Sequence, residues 1–137
     1  MRFLEEMMEE RPYEKLKFYQ DICEIRRLVH SITERFDKSS FRLVSQMRDA
    51  ARSAKQNIKE GYRRGSLAEF MRSIRISQGS LEELSGDMED CLEDRLITAL
   101  EFEKFSGLYR SASYMSSQYI KSMNKAKNKG NWKKPGE

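Results

Sequence analysis

Apolar residues recur along this chain at alternating steps of three and four. Over residues 12–36 the run is Ile22, Ile25, Val29, Ile32 and Phe36, one face of an α-helix. Pro12 suits a first helical turn, where its missing N–H costs nothing. Asp37 to Ser40 then breaks the pattern. A second stripe over residues 40–64 uses Phe41, Val44, Met47, Ala51, Ala54 and Ile58, and its alanines imply close helix approach. Gly65 is a natural stop. Ser66-Leu67-Ala68-Glu69 has the spacing of a capping box and opens a third helix over residues 66–94. That helix carries Phe70, Ile74, Ser77, Leu81, Leu84, Met88 and Cys91 in heptad-like spacing, which suits nearly parallel packing. Thr98-Ala99-Leu100-Glu101 repeats the capping box. A fourth stripe over residues 98–127 is Phe105, Leu108, Ala112, Met115 and Tyr119.

No segment alternates with period two. Four long helices with short connections predict an all-α, antiparallel up-down-up-down four-helix bundle over residues 1–128. A disordered basic tail is expected over residues 129–137, where two glycines and Pro135 gather. Gly79, Gly86 and Gly107 fall inside expected helices, at about 1 kcal/mol each relative to alanine. Gly79 and Gly86 share a face, and close packing within or between subunits is the expectation there.

Composition narrows the function. The chain has 137 residues, two cysteines and one histidine, too few Cys and His for a disulfide framework or a zinc cluster. Cys23 and Cys91 are expected to be reduced and buried. The first ten residues carry four glutamates and no long apolar run, unlike a signal peptide. No stretch nears the roughly 18 apolar residues of a membrane span, so a cytoplasmic location is expected. No phosphate loop, metalloprotease motif or calcium loop appears, and His30 has no second ligand near it. The acids Glu82, Glu83, Asp87, Asp90 and Asp94 flank an apolar stripe and are expected to point outward as a solvated face. No catalytic constellation, metal, cofactor or small-molecule substrate is expected.

Charge is segregated under a formal total of +4. Residues 82–94 hold seven acids and no base, whereas residues 39–65 hold seven bases and two acids. On the second helix Arg48, Arg52, Lys55, Lys59 and Arg63 form one stripe. Folding the chain about Gly65 places residues whose numbers total roughly 130 side by side, on the antiparallel geometry of a helical hairpin. Arg48 then nears Glu82 and Glu83, while Arg52, Lys55 and Lys59 face further bases. The same construction for the last two helices returns Lys121 and Lys125 to that end. One end therefore collects Arg52, Lys55, Lys59, Arg63, Arg64, Arg72, Arg75, Lys121 and Lys125. Glu5, Glu6, Glu9 and Glu10 enter from the same end and partly screen it. A basic patch with Tyr62 nearby fits RNA or DNA. With no base-reading motif, phosphate contacts of little sequence specificity are expected. A solvated face that serves solubility alone is the alternative.

Residues 36–84 carry a family resemblance. Its residues are Ser45-Gln46-Met47-Arg48, Ala50-Ala51-x-Ser53, Asn57-Ile58-x-Glu60-Gly61-Tyr62, Glu69-Phe70 and Gly79-Ser80-Leu81-x-Glu83-Leu84. They resemble the bacterial four-helix-bundle family of proteins encoded in intervening sequences of large-subunit ribosomal RNA genes. That family also includes the accessory variability determinant proteins of diversity-generating retroelements. The resemblance implies a homopentameric barrel with a basic surface. For the accessory proteins it implies a complex with a reverse transcriptase and its template RNA. Members usually carry Val-Ser-Ile-Pro-Ala before the asparagine. This chain has Arg52-Ser53-Ala54-Lys55-Gln56, and Lys59 where a small residue is usual, which adds bases to the stripe.

Overall fold

The three-four spacing becomes four α-helices in the computed structural model, which describes residues 12–129. A 3-10 turn at Pro12–Lys15 precedes α1 (Lys17–Thr33), and another at Lys38–Ser40 leads into α2 (Phe41–Arg64). After these come α3 (Leu67–Glu93) and α4 (Ala99–Lys129). Among the described residues there is no strand. Each helix packs on its neighbours in the chain, and α4 closes back onto α1, while diagonal pairs keep their backbones apart. This is the expected up-down-up-down arrangement. The fourth helix runs to Lys129, two residues past its expected end. The tail beyond it, and Glu5 to Glu10, lie outside the described residues.

Local chemistry sets the helix ends. Gly65 has φ +83° and its N–H donates to Tyr62 O at 3.3 Å, a left-handed stop that glycine adopts without strain. Ser66 Oγ accepts from Glu69 N–H at 3.1 Å. The second capping box is reciprocal: Glu101 N–H donates to Thr98 Oγ1 at 3.1 Å and Thr98 N–H to Glu101 Oε1 at 2.9 Å. Between them α3 ends in a Schellman motif. Leu96 N–H reaches Cys91 O at 2.8 Å and Arg95 N–H reaches Leu92 O at 3.1 Å. The left-handed position there is filled by Arg95, at φ +61°.

The first helix is shorter than its apolar run. Leu16 is extended, with ψ 129°, and separates the 3-10 turn from α1. Tyr13 in that turn is buried with its ring 5.1 Å from both Tyr19 and Tyr62. Aromatic packing there outweighs one more turn of helix. At the other end Thr33 Oγ1 donates back to Val29 O at 2.7 Å and the helix stops, although Phe36 still packs against the core.

Among the described residues twenty-four hydrophobic side chains form the core, and the four stripes supply most of them. Phe41 departs from its stripe and is 64% exposed. It begins α2 beside the point where α3 is ending, and Arg42 covers its ring instead. Met115 is also exposed, and Ser116 is buried in its place, followed by Ile120 and Met123. A straight helix drifts about 20° per heptad from a strict 3.5 repeat, so over the length of α4 the buried stripe moves on by one position. Ser116 keeps its hydroxyl satisfied through Gln78 Nε2 at 2.8 Å.

The close approach between helices is at Gly61. A Cβ there would lie 2.3 Å from Ser73 Cβ. At Gly79, Gly86 and Gly107 an added Cβ would meet nothing within 4 Å, so close packing within the subunit is not their role. One buried charge braces the bundle: Asp21 is 1% exposed, takes Lys17 Nζ on one oxygen, and accepts from Ser111 Oγ of α4 at 2.6 Å on the other. Both cysteines are free, Cys91 buried and Cys23 half-buried. Burial, with Asp87 nearby, pushes the Cys91 thiol up to about 11, which keeps it protonated and unreactive.

Candidate nucleic-acid interface

Two sides of α2 are spoken for. Its α3 side is fixed by Ser77 Oγ donating to Ala54 O at 2.6 Å, by the Ser53–Ser80 hydroxyl pair at 3.2 Å, and by Gln46 Nε2 on both Asp87 oxygens at 3.0 Å. Its α1 side is fixed by Arg48. Arg48 Nε donates to Thr33 Oγ1 at 2.9 Å and its Nη2 to His30 O at 3.4 Å. The hairpin register is close to the one the sequence suggests, yet Arg48 does not pair with Glu82 or Glu83. It lies on the helix face turned toward α1 rather than α3.

The basic stripe follows Arg48 along that flank and the outer face of α2. Two depressions run there. The first, of about 330 Å³, lies between α1 and α2 and is lined by Arg26, His30, Ser45, Arg48, Asp49 and Arg52. The second, of about 530 Å³, shares Asp49 and Arg52 and continues past Lys59 to Arg63. Lys55 is half-buried between these positions in sequence. Among the described residues Arg26, Lys55, Lys59 and Arg63 make no ion pair. Arg52 does, to Asp49 on its own helix at 2.8 Å, and Arg64 pairs with Glu60 at 3.6 Å. Both pairs are largely exposed, so each is worth under about 1 kcal/mol. Arg63 and Arg64 also sit in the last turn of α2, where cations offset the helix dipole.

The other four bases are placed differently. Arg72 and Arg75 are exposed on α3. On that helix Ser73, Ser77 and Ser80 meet α2 and Gln78 meets Ser116 of α4, so these two arginines occupy the outward side. Lys121 and Lys125 are exposed near the end of α4. None of the four lines the two depressions beside α2. Of the nine bases expected at one end, the cavities bring together Arg52, Lys59 and Arg63. Tyr62 is not a platform for bases. Its ring sits 5.1 Å from Tyr13 and 6.0 Å from Phe70 in an aromatic layer that continues to Tyr119 and Phe18. Burial raises Tyr119 to about 12 and carries Tyr19 higher still.

Sequence reasoning did not place Arg26 and His30 here. Their signal was available: they stand four apart on the polar side of α1, on the flank that an antiparallel partner turns toward α2. The acidic residues of α3 are exposed except for Asp87, which Gln46 engages. Among the described residues no group of three or more His, Cys, Asp and Glu side chains is placed to hold a metal ion. None of the described helices is long and apolar enough to cross a membrane.

The groove can hold phosphates through guanidinium and ammonium groups, and it offers nothing that distinguishes one base from another. No curated protein matches the sequence. A family profile described as 23S rRNA-intervening sequence protein matches residues 14–118, from the opening 3-10 turn through most of α4. The chain belongs to the 23S rRNA-intervening sequence protein family.

Proposed function

We propose that this chain is a non-catalytic, cytoplasmic accessory protein that assembles as a closed homo-oligomer and binds RNA, and DNA in the same manner, through phosphate contacts. The observation that carries this reading is the run of cations from Arg26 and Arg48 through Arg52 to Lys59 and Arg63, lining two connected depressions. A five-subunit ring and a partnership with a retroelement reverse transcriptase are the finer parts of the proposal, and they rest on the resemblance carried by residues 36–84. The exposed glycines Gly79 and Gly86 leave a smooth outer face on α3 that suits contact between subunits. A second reading, a structural module whose charges serve solubility, draws on the Arg52–Asp49 and Arg64–Glu60 pairs.

Salt dependence separates the two. Each contacted phosphate contributes a log–log slope of about −0.7 on single strands and −0.9 on duplex DNA. Lys55, Lys59 and Arg63 together changed to glutamine should weaken all sequences alike and flatten the slope on single-stranded RNA by about 2 per chain bound. Arg72→Gln with Arg75→Gln, on the outer side of α3, should change it less. Polarisation titrations at several salt concentrations, with oligomeric state checked by light scattering, read both effects. Identical affinity and slope for wild type and the triple variant, both intact oligomers, would eliminate the groove as the nucleic-acid site.

A further inference from the structure

The two depressions beside α2 differ in kind. The second is an open strip along one helix. The first is a cavity between two helices, with Arg26 and His30 on one wall and Arg48 and Arg52 on the other. Its volume of about 330 Å³ is at the lower end of the range of small-ligand sites. Three guanidiniums against one carboxylate leave a formal +2 in its lining. Asp49, that carboxylate, is already engaged by Arg52 Nη2 at 2.8 Å.

Arg48 is held in place by two hydrogen bonds, to Thr33 Oγ1 and to His30 O. A guanidinium has five N–H donors in a fixed plane, so donors remain after both bonds are made. A positioned guanidinium loses less side-chain freedom when an anion arrives. Arg26 is half-buried and forms no ion pair among the described residues. An internal RNA phosphate carries one negative charge, whereas a phosphomonoester carries about −1.5 to −2 at neutral pH. The charge of the cavity matches the second.

We infer that the cavity between α1 and α2 is a phosphomonoester site, formed by Arg26, Arg48 and Arg52 with His30 at its rim. For RNA, which rests on the nucleic-acid reading above, this is a seat for a 5′-terminal phosphate. The strand would then run along the strip that begins at the shared Arg52 and passes Lys59 and Arg63. The same chemistry could be met by a free phosphomonoester, and the experiment separates the two.

His30 is the single histidine of the chain, so one pair of imidazole proton resonances reports on the cavity. Inorganic phosphate should shift them saturably, and chloride at equal ionic strength should not. Arg26→Gln should weaken that binding about tenfold, the scale of losing one charge-assisted contact, and Arg26→Lys should retain most of it. The wild type should bind a 5′-phosphorylated RNA about tenfold tighter than the same RNA with a 5′-hydroxyl. Arg26→Gln should erase that preference. The Lys55, Lys59 and Arg63 triple variant should weaken both RNAs and keep their ratio. A His30 shift that does not saturate, or that Arg26→Gln leaves unchanged, overturns the site. Equal binding of the two RNAs beside a saturable phosphate shift assigns the cavity to a small phosphomonoester and overturns the RNA-end seat. Loss of all RNA binding with the His30 shift intact counts against the nucleic-acid reading and supports the cavity as a phosphate site.

Discussion

Replacing Gly61 by alanine tests how tightly α2 and α3 are locked. The added Cβ would stand 2.3 Å from Ser73 Cβ, 2.4 Å from Ser73 Oγ and 3.4 Å from Glu69 O. Carbon atoms in contact prefer about 3.5–4.0 Å, so the two helices must part locally by about 1 Å or more. A rotamer change moves the hydroxyl but not Ser73 Cβ, which is fixed to the α3 backbone. Overpacking of this sort costs about 1–3 kcal/mol, and alanine returns about 1 kcal/mol of helix propensity. Because the main clash cannot rotate away, the net loss should be about 2 kcal/mol. For a chain of this length that is a fall in Tm of about 5–10 °C. Ser73→Gly should relieve the clash, and a double-mutant cycle by urea denaturation should give a favourable coupling of about 1 kcal/mol or more between the two changes. Gly107→Ala is the matched control, a helix glycine whose new methyl meets nothing within 4 Å. A Gly61→Ala protein that melts at or above the wild type, with no coupling to position 73, would refute this account.

Two further substitutions probe helix ends. Arg95→Gly should raise stability by about 1 kcal/mol in thermal melts, because Arg95 holds φ +61° where glycine is unstrained; a loss of stability would contradict it. Glu101 of α4 is paired with Arg35 in the turn after α1, and hydrogen bonding from Arg35, helped by Thr98, holds its carboxyl below the usual range. Its folded pKa is depressed, so the stability it adds is present above about pH 4.3 and is lost as pH falls through the lower folded value. Glu101→Gln keeps the capping geometry. The advantage of wild type over this variant in urea melts should be under about 1 kcal/mol near neutral pH, since Arg35 is about half exposed, and should fade as pH falls through the depressed folded value. A difference that grows on acidification would refute the sign.

Helices and their order were legible because the stripes in Met47–Ile58 and Phe70–Cys91 are long and uninterrupted, and because Gly65 and Thr98 act through their immediate neighbours. Deviations arose where tertiary contacts decided. Tyr13 was drawn into an aromatic layer made of residues far apart in sequence, which delayed the start of the first helix. Met115 gave way to Ser116 because small angular drift accumulates over a long helix. Asp21, a buried carboxylate in a charged-looking stretch, gave no sequence signal at all, since its partner Ser111 lies on the last helix. The candidate groove was half legible. The stripe on α2 follows from spacing alone. That α1 completes it with Arg26 and His30 requires knowing which flank of α2 turns toward α1, and Arg48 settles that through Thr33.

The Asp21–Ser111 bond joins residues 90 positions apart. It belongs to the seam between the first and last helices, the least local contact of the fold and the one rewarded latest as the chain closes. Opening that seam frees α1 on one side, and α1 carries one wall of the phosphate cavity. A ligand held between Arg26 and Arg48 therefore works as a clasp on α1. By mass action its binding raises the free energy of every partial opening that separates α1 from α2. In such a bundle ligand occupancy and protection of α1 amides from hydrogen exchange rise together.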